Sequence, residues 1–446
     1  MASKPLTLTR GPVLKPLVLF SLPILISNIF QQLYNTVDTM IVGHFLGEKA
    51  LAAVGASSAL FDLLIGFSIG IANGMGIVIA RAYGAKQTDQ IKPLVASSLV
   101  ISLGFSLFLA CLGVWFSDDI LAVLGTPTEV LGQASGYLGI IMLGMLVTYS
   151  YNLIAGLLRA IGDSLSALYF LVLAAILNML LDLVFVTQFH LGIEGAALAT
   201  VLAQAVSAVS SLIYLLRRRR LLVPGLADFR PSAARYLELL EQGLAMGLMS
   251  SIVGLGSVIL QTAINQLGLV LISAQVTARR IMMFSIMPLT ALASGLTTFV
   301  SQNFGAGQYQ RIDKGVKQAS LLALAWGLLA SLFSYSLGED LVGLISGSQD
   351  QSLITASTTY LKVCTPLFPI LGCLFILRNS LQGMGRKQVP LLSSILELLG
   401  KIAFVLWVIP GLGYLGVIIC EPLIWLPMTL VLYLAYRHTI KPLMTL

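Results

Sequence analysis

The sequence predicts an all-α integral membrane protein, with twelve transmembrane helices in two parallel, pseudo-symmetric lobes of six helices each. Hydrophobic residues make up 57% of the 446 residues and charged residues only 10%, whereas soluble domains carry about 25% charged residues. The hydrophobic residues form twelve long runs without strand-like alternation, which argues against a β-barrel. Short motifs also recur about half a chain apart, which indicates two copies of one unit.

Two pairs of motifs define this repeat. The run Tyr-Gly-Ala-Lys-Gln at 83–87 and the run Phe-Gly-Ala-Gly-Gln at 304–308 lie 221 positions apart, and Gly162 and Gly385 lie 223 positions apart. Six spans per copy is an even number, so both copies enter the membrane from the same side and the repeat is parallel. Repeats of this kind are typical of transporters, in which two similar halves move about a site between them.

Each predicted span is a run long enough to cross a bilayer, which takes about 20 residues. In chain order the spans are 16–42, 50–80, 91–116, 131–156, 165–188, 195–216, 242–266, 272–302, 316–337, 354–377, 388–409 and 414–436. The longest polar break separates span 6 from span 7. We therefore expect an N-terminal lobe at 1–216, a cytoplasmic linker at 217–241 and a C-terminal lobe at 242–446.

The distribution of basic residues supports this order of spans. On one side of the membrane the loops, the termini and the adjoining span ends carry 21 Lys and Arg residues, and on the other side they carry only Lys49. The remaining four lie inside spans: Arg279, Arg280, Lys362 and Lys401. Because positive residues stay inside, we expect a multi-pass protein of the cell inner (plasma) membrane with both termini in the cytoplasm. The net charge of +7 reflects this orientation, and no basic soluble domain indicates a nucleic-acid partner.

Cysteine and histidine content weighs against a metal site or an intramembrane enzyme. The four cysteines all lie in apolar runs, where they are expected as small core residues. The three histidines lie near span ends, and no HExxH motif occurs. We therefore expect no enzyme activity and no cofactor. The first span is too long for a cleavable signal segment, so we expect it to be retained.

Polar residues inside the spans are the candidate functional groups, because ionisable side chains in hydrocarbon are costly and usually functional. In span 1, Gln31, Tyr34 and Asn35 share one helical face with Asp38. Asp38 is either an interfacial residue near the outer helix end or a titratable, cation-binding carboxylate that faces the bundle interior. The second interpretation is favoured by the amides and the phenol on the same face.

A second acid, Asp182, lies in span 5 one turn after Asn178. The topology puts Asp38 and Asp182 in the outer halves of their helices, where they can be neighbours. Two carboxylates in a poorly hydrated pocket do not both ionise comfortably, so one holds a proton or a cation binds between them. Carboxylate and amide oxygens suit Na⁺. Below this face Pro23 interrupts span 1, as a simple kink or as a bending element.

The second half carries most of the basic residues inside spans. Glu397 and Lys401 are spaced i, i+4 in span 11, a spacing that suits a self-neutralising pair but does not exclude a functional role. Arg279 and Arg280 in span 8 and Lys362 in span 10 leave an excess of positive charge, which either lines a cavity or snorkels to the interface.

The candidate residues for a substrate cavity come from spans 1 and 8. Flexible methionine side chains suit a cavity that accepts varied ligands, although methionine is also ordinary in membrane helices. The candidates are Gln31, Tyr34, Asn35, Arg279, Arg280, Met282, Met283 and Met287.

Six motifs together resemble the multidrug and toxic compound extrusion (MATE) family, over residues 15 to 437. They are VDTMIVG at 37–43, ALAAVG at 50–55, RAIGD at 159–163, LNMLLD at 177–182, GAALAT at 195–200 and LQGMG at 381–385. The resemblance implies an efflux antiporter driven by Na⁺ or H⁺, with spans 1–6 and 7–12 as two lobes around a central cleft.

The resemblance also implies a place for the coupling ion. In the branch of the family with a first-lobe ion site, the ion-coupling residues correspond to Asp38, Asn152, Asn178, Asp182 and Thr200. A Na⁺ ion would lie at Asp38, Asn178, Asp182 and Thr200, and Pro23 would correspond to the bend of the first helix. Another branch uses acids in spans 7 and 10. This sequence has no acid at 242–266 and only Lys362 in span 10, so it departs from that branch.

The expected function is secondary active multidrug efflux by cation antiport, and the expected substrates are small, amphipathic and often cationic compounds. We expect the protein to work as a monomer that is surrounded by membrane lipids. The alternative is a flippase for lipid-linked saccharides or other anionic lipid precursors. The basic residues of the second half would suit an anionic headgroup of this kind. A uniporter or channel would not need the paired carboxylates. Na⁺ and H⁺ use the same carboxylates, so both remain open as coupling ions.

Overall fold

Helices form nearly all of the computed structural model, which describes residues 5–123, 126–347 and 350–445, without the side chains of residues 51, 58, 59 and 123. Those residues include no strand. Eleven helices among them are long and apolar enough to cross a membrane, and two shorter helices bent by 47° form a twelfth span. The predicted fold class of an all-α membrane protein is confirmed.

Each observed helix overlaps one predicted span and extends beyond it at one end or both. The helices are α1 Leu14–Ala50, α2 Leu60–Gly84, α3 Thr88–Ala122, α4 Thr128–Leu143 with Met145–Ala160, α5 Ser164–Gln188, α6 Gly192–Arg218, α7 Ala233–Asn265, α8 Leu269–Gly305, α9 Tyr309–Ser346, α10 Gln351–Gly383, α11 Gln388–Leu412 and α12 Tyr414–Met444. α1 and α2 belong to one helical run that is interrupted at Gly47, whose φ of 81° is left-handed.

The repeat is visible in the backbone, because residues with positive φ recur at matching places in the two halves. The pairs are Gly47 with Gly268, Lys86 with Gly307, Gly162 with Gly385 and Gly192 with Gly413. Seven of these eight residues are glycine, which adopts positive φ without steric strain. A short π-helical segment also ends α5 at Val184–Gln188 and recurs within α11 at Phe404–Val408.

The chain divides into two compact units. The first comprises Met1–Thr7 and Ile26–Leu248, and the second comprises Leu8–Leu25 and Met249–Leu446. α1 therefore changes unit two residues after Pro23, and α7 changes unit near its middle. α1 stays helical at Pro23, although proline removes one helical hydrogen bond there. The lobe boundaries at residues 217–241 describe the sequence repeat and stay a prediction.

In the first unit, glycines allow α2 and the first part of α7 to approach closely. A Cβ atom at Gly74 would lie 2.5 Å from the carbonyl oxygen of Gln242, and one at Gly70 would lie 2.7 Å from the Cα of Gly247. Small residues four positions apart are a common means of close packing between membrane helices. This contact holds the first part of α7 against α2.

In the second unit, Arg311 holds the segment that leads into α1. Its guanidinium donates to carbonyl oxygens of four residues between Leu8 and Pro12, at distances of 2.6 to 3.2 Å. The amide of Asn303 also donates to the carbonyl oxygen of Leu8, at 3.2 Å. The irregular segment before α1 therefore has its backbone acceptors satisfied by side chains of α8 and α9.

Candidate functional site

Two buried acids meet in the first unit. The side chains of Asp38 on α1 and Asp182 on α5 lie within electrostatic range of each other. Asp182 is fully buried and Asp38 is partly buried. The sequence-based expectation that the two carboxylates are neighbours agrees with this placement, whereas their role in ion coupling stays a prediction.

Thr200 on α6 links the helices that carry these acids. The amide nitrogen of Asn178 donates to the Thr200 hydroxyl at 3.1 Å. The hydroxyl groups of Tyr34 and Thr200 lie 3.4 Å apart, and either can donate. Asn178 and Thr200 are 1% and 4% exposed. α1, α5 and α6 therefore meet through a polar contact inside an otherwise apolar bundle, one turn from the paired acids.

Tyr137 on α4 belongs to the same cluster, and the sequence reasoning missed it. Its side chain is 5% exposed and lies within electrostatic range of Asp38, Tyr34 and Asp182. The repeat offered one signal, because Tyr360 occupies the matching position of the second half, 223 residues later. A tyrosine kept at one position of both repeats could have marked the site.

The cluster has more hydrogen-bond acceptors than donors. Within the described part of the chain, Oδ1 of Asp38, both carboxylate oxygens of Asp182 and the amide oxygen of Asn178 are buried and accept no hydrogen bond. Unpaired buried carboxylates are costly. A proton shared between the acids, or a cation with oxygen ligands, satisfies these atoms, so the residues present fit H⁺ or Na⁺. The described residues hold no group of three His, Cys, Asp or Glu side chains suited to a metal ion.

The other first-half candidates lie around this cluster. The amide of Asn152 on α4 donates to the Ser68 hydroxyl of α2 at 3.4 Å, and this contact lies outside the Asp38–Asp182 pair. Gln31 is partly buried and Asn35 is exposed on α1. Their functional roles, and that of Asn152, stay predictions.

Ser68 lies in the run Gly66–Gly70, whose spacing matches the GxSxG pattern of serine hydrolases. That motif works on a sharp turn between a strand and a helix, which exposes the serine. Here the run lies inside α2 and Ser68 is fully buried. The spacing therefore does not form a catalytic serine site.

The second unit contains a buried ionic cluster. The Lys401 side chain is 2% exposed, and its Nζ lies 3.0 Å from Oε1 of Glu397 and 3.1 Å from Oε1 of Glu421. The pairing of Glu397 with Lys401 matches the interpretation of their i, i+4 spacing. Glu421 shares the same ammonium from α12, a contact that sequence spacing did not show.

Two arginines extend this cluster. Nη2 of Arg279 lies 3.2 Å from Oε1 of Glu421, and Nη2 of Arg378 lies 3.6 Å from Oε2 of Glu397. We call the five residues Arg279, Glu421, Lys401, Glu397 and Arg378 the second-unit ion chain. Positive and negative groups alternate along it, which compensates each charge that burial removes from water.

The repeat relates the two clusters to each other. Lys401 and Glu421 occupy the positions of Asn178 and Thr200, at the repeat offsets of 223 and 221 residues. The side chains within each pair lie 3.1 Å apart in both units. The same helix contact is therefore made by an uncharged hydrogen bond in the first unit and by an ion pair in the second.

The remaining second-half candidates differ in how exposed their side chains are. Met282 and Met287 are buried, at 4% and 8% exposure, whereas Met283 is 44% exposed. Arg280 is exposed beside Arg279. Nζ of Lys362 lies 3.4 Å from Glu339 on the surface. A place in a substrate cavity stays a prediction for each candidate.

Comparisons with known proteins give one consistent family. The MatE family model matches residues 23–184 and again 245–407, so the same model matches each half. Probable multidrug resistance protein YoeA of Bacillus subtilis (strain 168) is 29% identical over 448 residues, which cover 97% of this chain and 95% of YoeA. Multidrug export protein MepA of Staphylococcus aureus (strain N315) is 25% identical over 432 residues, which cover 95% and 94%. A multidrug resistance MATE family transporter solved in an outward-facing conformation is similar with a TM-score of 0.91, at 24% identity over 100% of both chains.

Proposed function

This chain belongs to the MatE family of multidrug efflux transporters, and from that premise we propose that it exports small amphipathic, often cationic, compounds from the cytoplasm in exchange for Na⁺ or H⁺. Members of the family are transporters and not enzymes. The observation that carries the exchange mechanism is the pair of Asp38 and Asp182, in which Oδ1 of Asp38 and both carboxylate oxygens of Asp182 are buried without a donor in the described residues. Export of drugs by MepA and the resistance function named for YoeA support the substrate class.

The pair of acids favours binding of a cation or a proton. Without a cation or a proton, two neighbouring carboxylates repel each other in a medium of low dielectric constant. Binding of Na⁺ or H⁺ removes that repulsion and draws Asp38 on α1 toward Asp182 on α5. The ion therefore favours one position of α1 over another, which is what a coupling ion must do to shift a conformational equilibrium.

Pro23 provides a position at which α1 can bend. α1 belongs to the second compact unit up to Leu25 and to the first from Ile26. A proline removes a helical hydrogen bond and lowers the cost of bending nearby. We propose that ion binding at Asp38 from outside bends α1 near Pro23, narrows the first-lobe cavity and expels the substrate. Return to the inward-facing state then releases the ion to the cytoplasm.

The location follows from charge and hydropathy. The excess of basic residues on one side supports a place in the inner membrane with both termini in the cytoplasm. The contact of each polar cluster with helices of its own unit supports a functional monomer surrounded by lipid.

Efflux from proteoliposomes tests the function. A fluorescent cationic dye would be loaded at the cytoplasmic face, and a Na⁺ gradient and an H⁺ gradient would be imposed separately. We expect dye flux under one gradient and none without a gradient, and the effective gradient names the ion. Absence of dye flux under both gradients, with transport of a labelled lipid precursor, would refute drug efflux and favour the lipid flippase.

A further inference from the structure

We propose that the second unit carries an oxyanion-binding subsite at Arg279, which selects amphipathic substrates that bear a carboxylate. The inference rests on the proposed efflux function and names a substrate class for it. It starts from the charges of the second-unit ion chain, which the coupling mechanism does not use.

The second-unit ion chain has an excess of positive charge. It contains three cationic side chains, Arg279, Arg378 and Lys401, and two carboxylates, Glu397 and Glu421. Two ion pairs leave one positive charge without an anionic partner inside the chain. An uncompensated charge at membrane depth is costly, so a monoanionic group that binds there supplies the missing charge compensation.

One end of the ion chain, Arg279, is accessible. The side chain of Lys401 is 2% exposed, whereas that of Arg279 is 37% exposed. Arg280 is exposed next to it, and Val276 and Met283 on the same helix are 43% and 44% exposed. Charged side chains within spans almost always face the bundle interior or a water-filled cavity. This stretch of α8 therefore offers two guanidinium groups beside apolar surface, which suits an amphipathic anion.

A buried donor lies close to Arg279 along α8. Nε2 of Gln275, one turn before Arg279, is buried and has no acceptor in hydrogen-bonding geometry among the described residues. The Tyr414 hydroxyl donates to Oε1 of Gln275 at 3.2 Å, which orients the amide, and the Tyr360 side chain lies beside the same amide. The unpaired atoms of the first-unit pair, Asp38 and Asp182, are acceptors instead. The two units therefore suit ligands of opposite charge, a cation in the first and an anion in the second.

A carboxylate fits the second-unit site better than a phosphate does. A guanidinium group holds a carboxylate through two parallel hydrogen bonds. The single uncompensated charge of the ion chain matches a monoanion rather than the larger charge of a pyrophosphate-linked lipid. The expected substrate class is therefore zwitterionic or anionic amphipathic compounds with one carboxylate.

Transport of two matched dyes tests this proposal. A rhodamine with a free carboxylate and its ethyl ester differ only at the group in question. Their export would be measured in phosphatidylcholine proteoliposomes for wild type, Arg279→Gln and Arg280→Gln. Lys362→Gln is the matched control, because it removes another basic residue of the same unit, paired with Glu339 on the surface.

We expect the ratio of kcat/KM for the acid dye to that for the ester to fall at least about tenfold in Arg279→Gln. We expect it to fall severalfold in Arg280→Gln, whose exposed side chain has no place in the ion chain, and to stay at the wild-type value in Lys362→Gln. If Arg279→Gln fails to fold, equilibrium binding of both dyes to Arg280→Gln is measured instead. Weaker binding of the acid dye alone supports the proposal, and wild-type binding of both dyes overturns it.

A wild-type ratio in both arginine variants would overturn the proposal. So would Arg279-dependent translocation of a fluorescent phosphatidylglycerol without any dependence of the acid dye on Arg279, because the oxyanion would then be a lipid phosphate. Failure of wild type to export even the ester would refute the efflux function, and the subsite with it.

Discussion

Replacing Asp182 with Asn should separate ion coupling from folding. Asp182 is fully buried, and neither of its oxygens accepts a hydrogen bond from the described residues. Asn has nearly the same shape and removes one of the two charges that face the ion. Interactions with a charged group contribute about 1.5 to 3 kcal/mol. Loss of one anionic ligand should therefore weaken ion binding by about 10- to 150-fold.

The same substitution should not lower thermal stability. It removes the repulsion between Asp182 and Asp38, and the new amide can donate to the Asp38 carboxylate. A structural acid would behave in the opposite way, because its loss would remove stabilising contacts and lower Tm.

Two measurements check this prediction. Dye efflux under an imposed gradient should fall to a few per cent of wild type in Asp182→Asn, while Tm by size-exclusion chromatography after heating should stay equal or rise. Asp119→Asn is the matched control, because it makes the same change at an exposed acid of α3. Wild-type ion dependence of efflux in Asp182→Asn would refute the reasoning, and so would a marked loss of Tm.

Four further substitutions, in three tests, probe the packing of the two units. Glu421→Gln should lower the free energy of unfolding by about 3–5 kcal/mol, since it removes the carboxylate between the cations Arg279 and Lys401, and Lys401→Met in the same chain should restore part of it; a denaturant titration measures both. Gly74→Leu should prevent folding, since a Cβ atom there already lies 2.5 Å from a backbone oxygen; a monodisperse peak of purified protein would contradict this. Arg311→Ala should free the carbonyl oxygens of the segment before α1 and speed proteolysis there; a cleavage rate equal to that of wild type would contradict it.

Much of the fold could be predicted from the sequence, because a bilayer requires long apolar helices and leaves few alternatives. Helical spacing placed Asn178 and Asp182 on one face, and the distribution of basic residues put Asp38 at the same depth. Thr200 came from the family resemblance alone, since a single threonine in an apolar span carries no local signal.

Other contacts could not be predicted, because they depend on how each helix is rotated against its neighbours. Arg279 and Glu421 lie on different helices, and nothing in their spacing indicates a 3.2 Å contact. Tyr137 reaches the acids only through the packing of α4. The change of unit along α1 likewise depends on packing that hydropathy does not describe.

The central claim is that Asp38 and Asp182 bind the coupling ion, and ion binding by purified protein tests it most directly. Saturable binding of ²²Na⁺ and release of protons on addition of substrate would be measured in detergent for wild type and Asp38→Asn. We expect one of the two signals in wild type and its loss in a folded Asp38→Asn variant. An undiminished signal in Asp38→Asn would contradict the account, because the ion would then bind elsewhere.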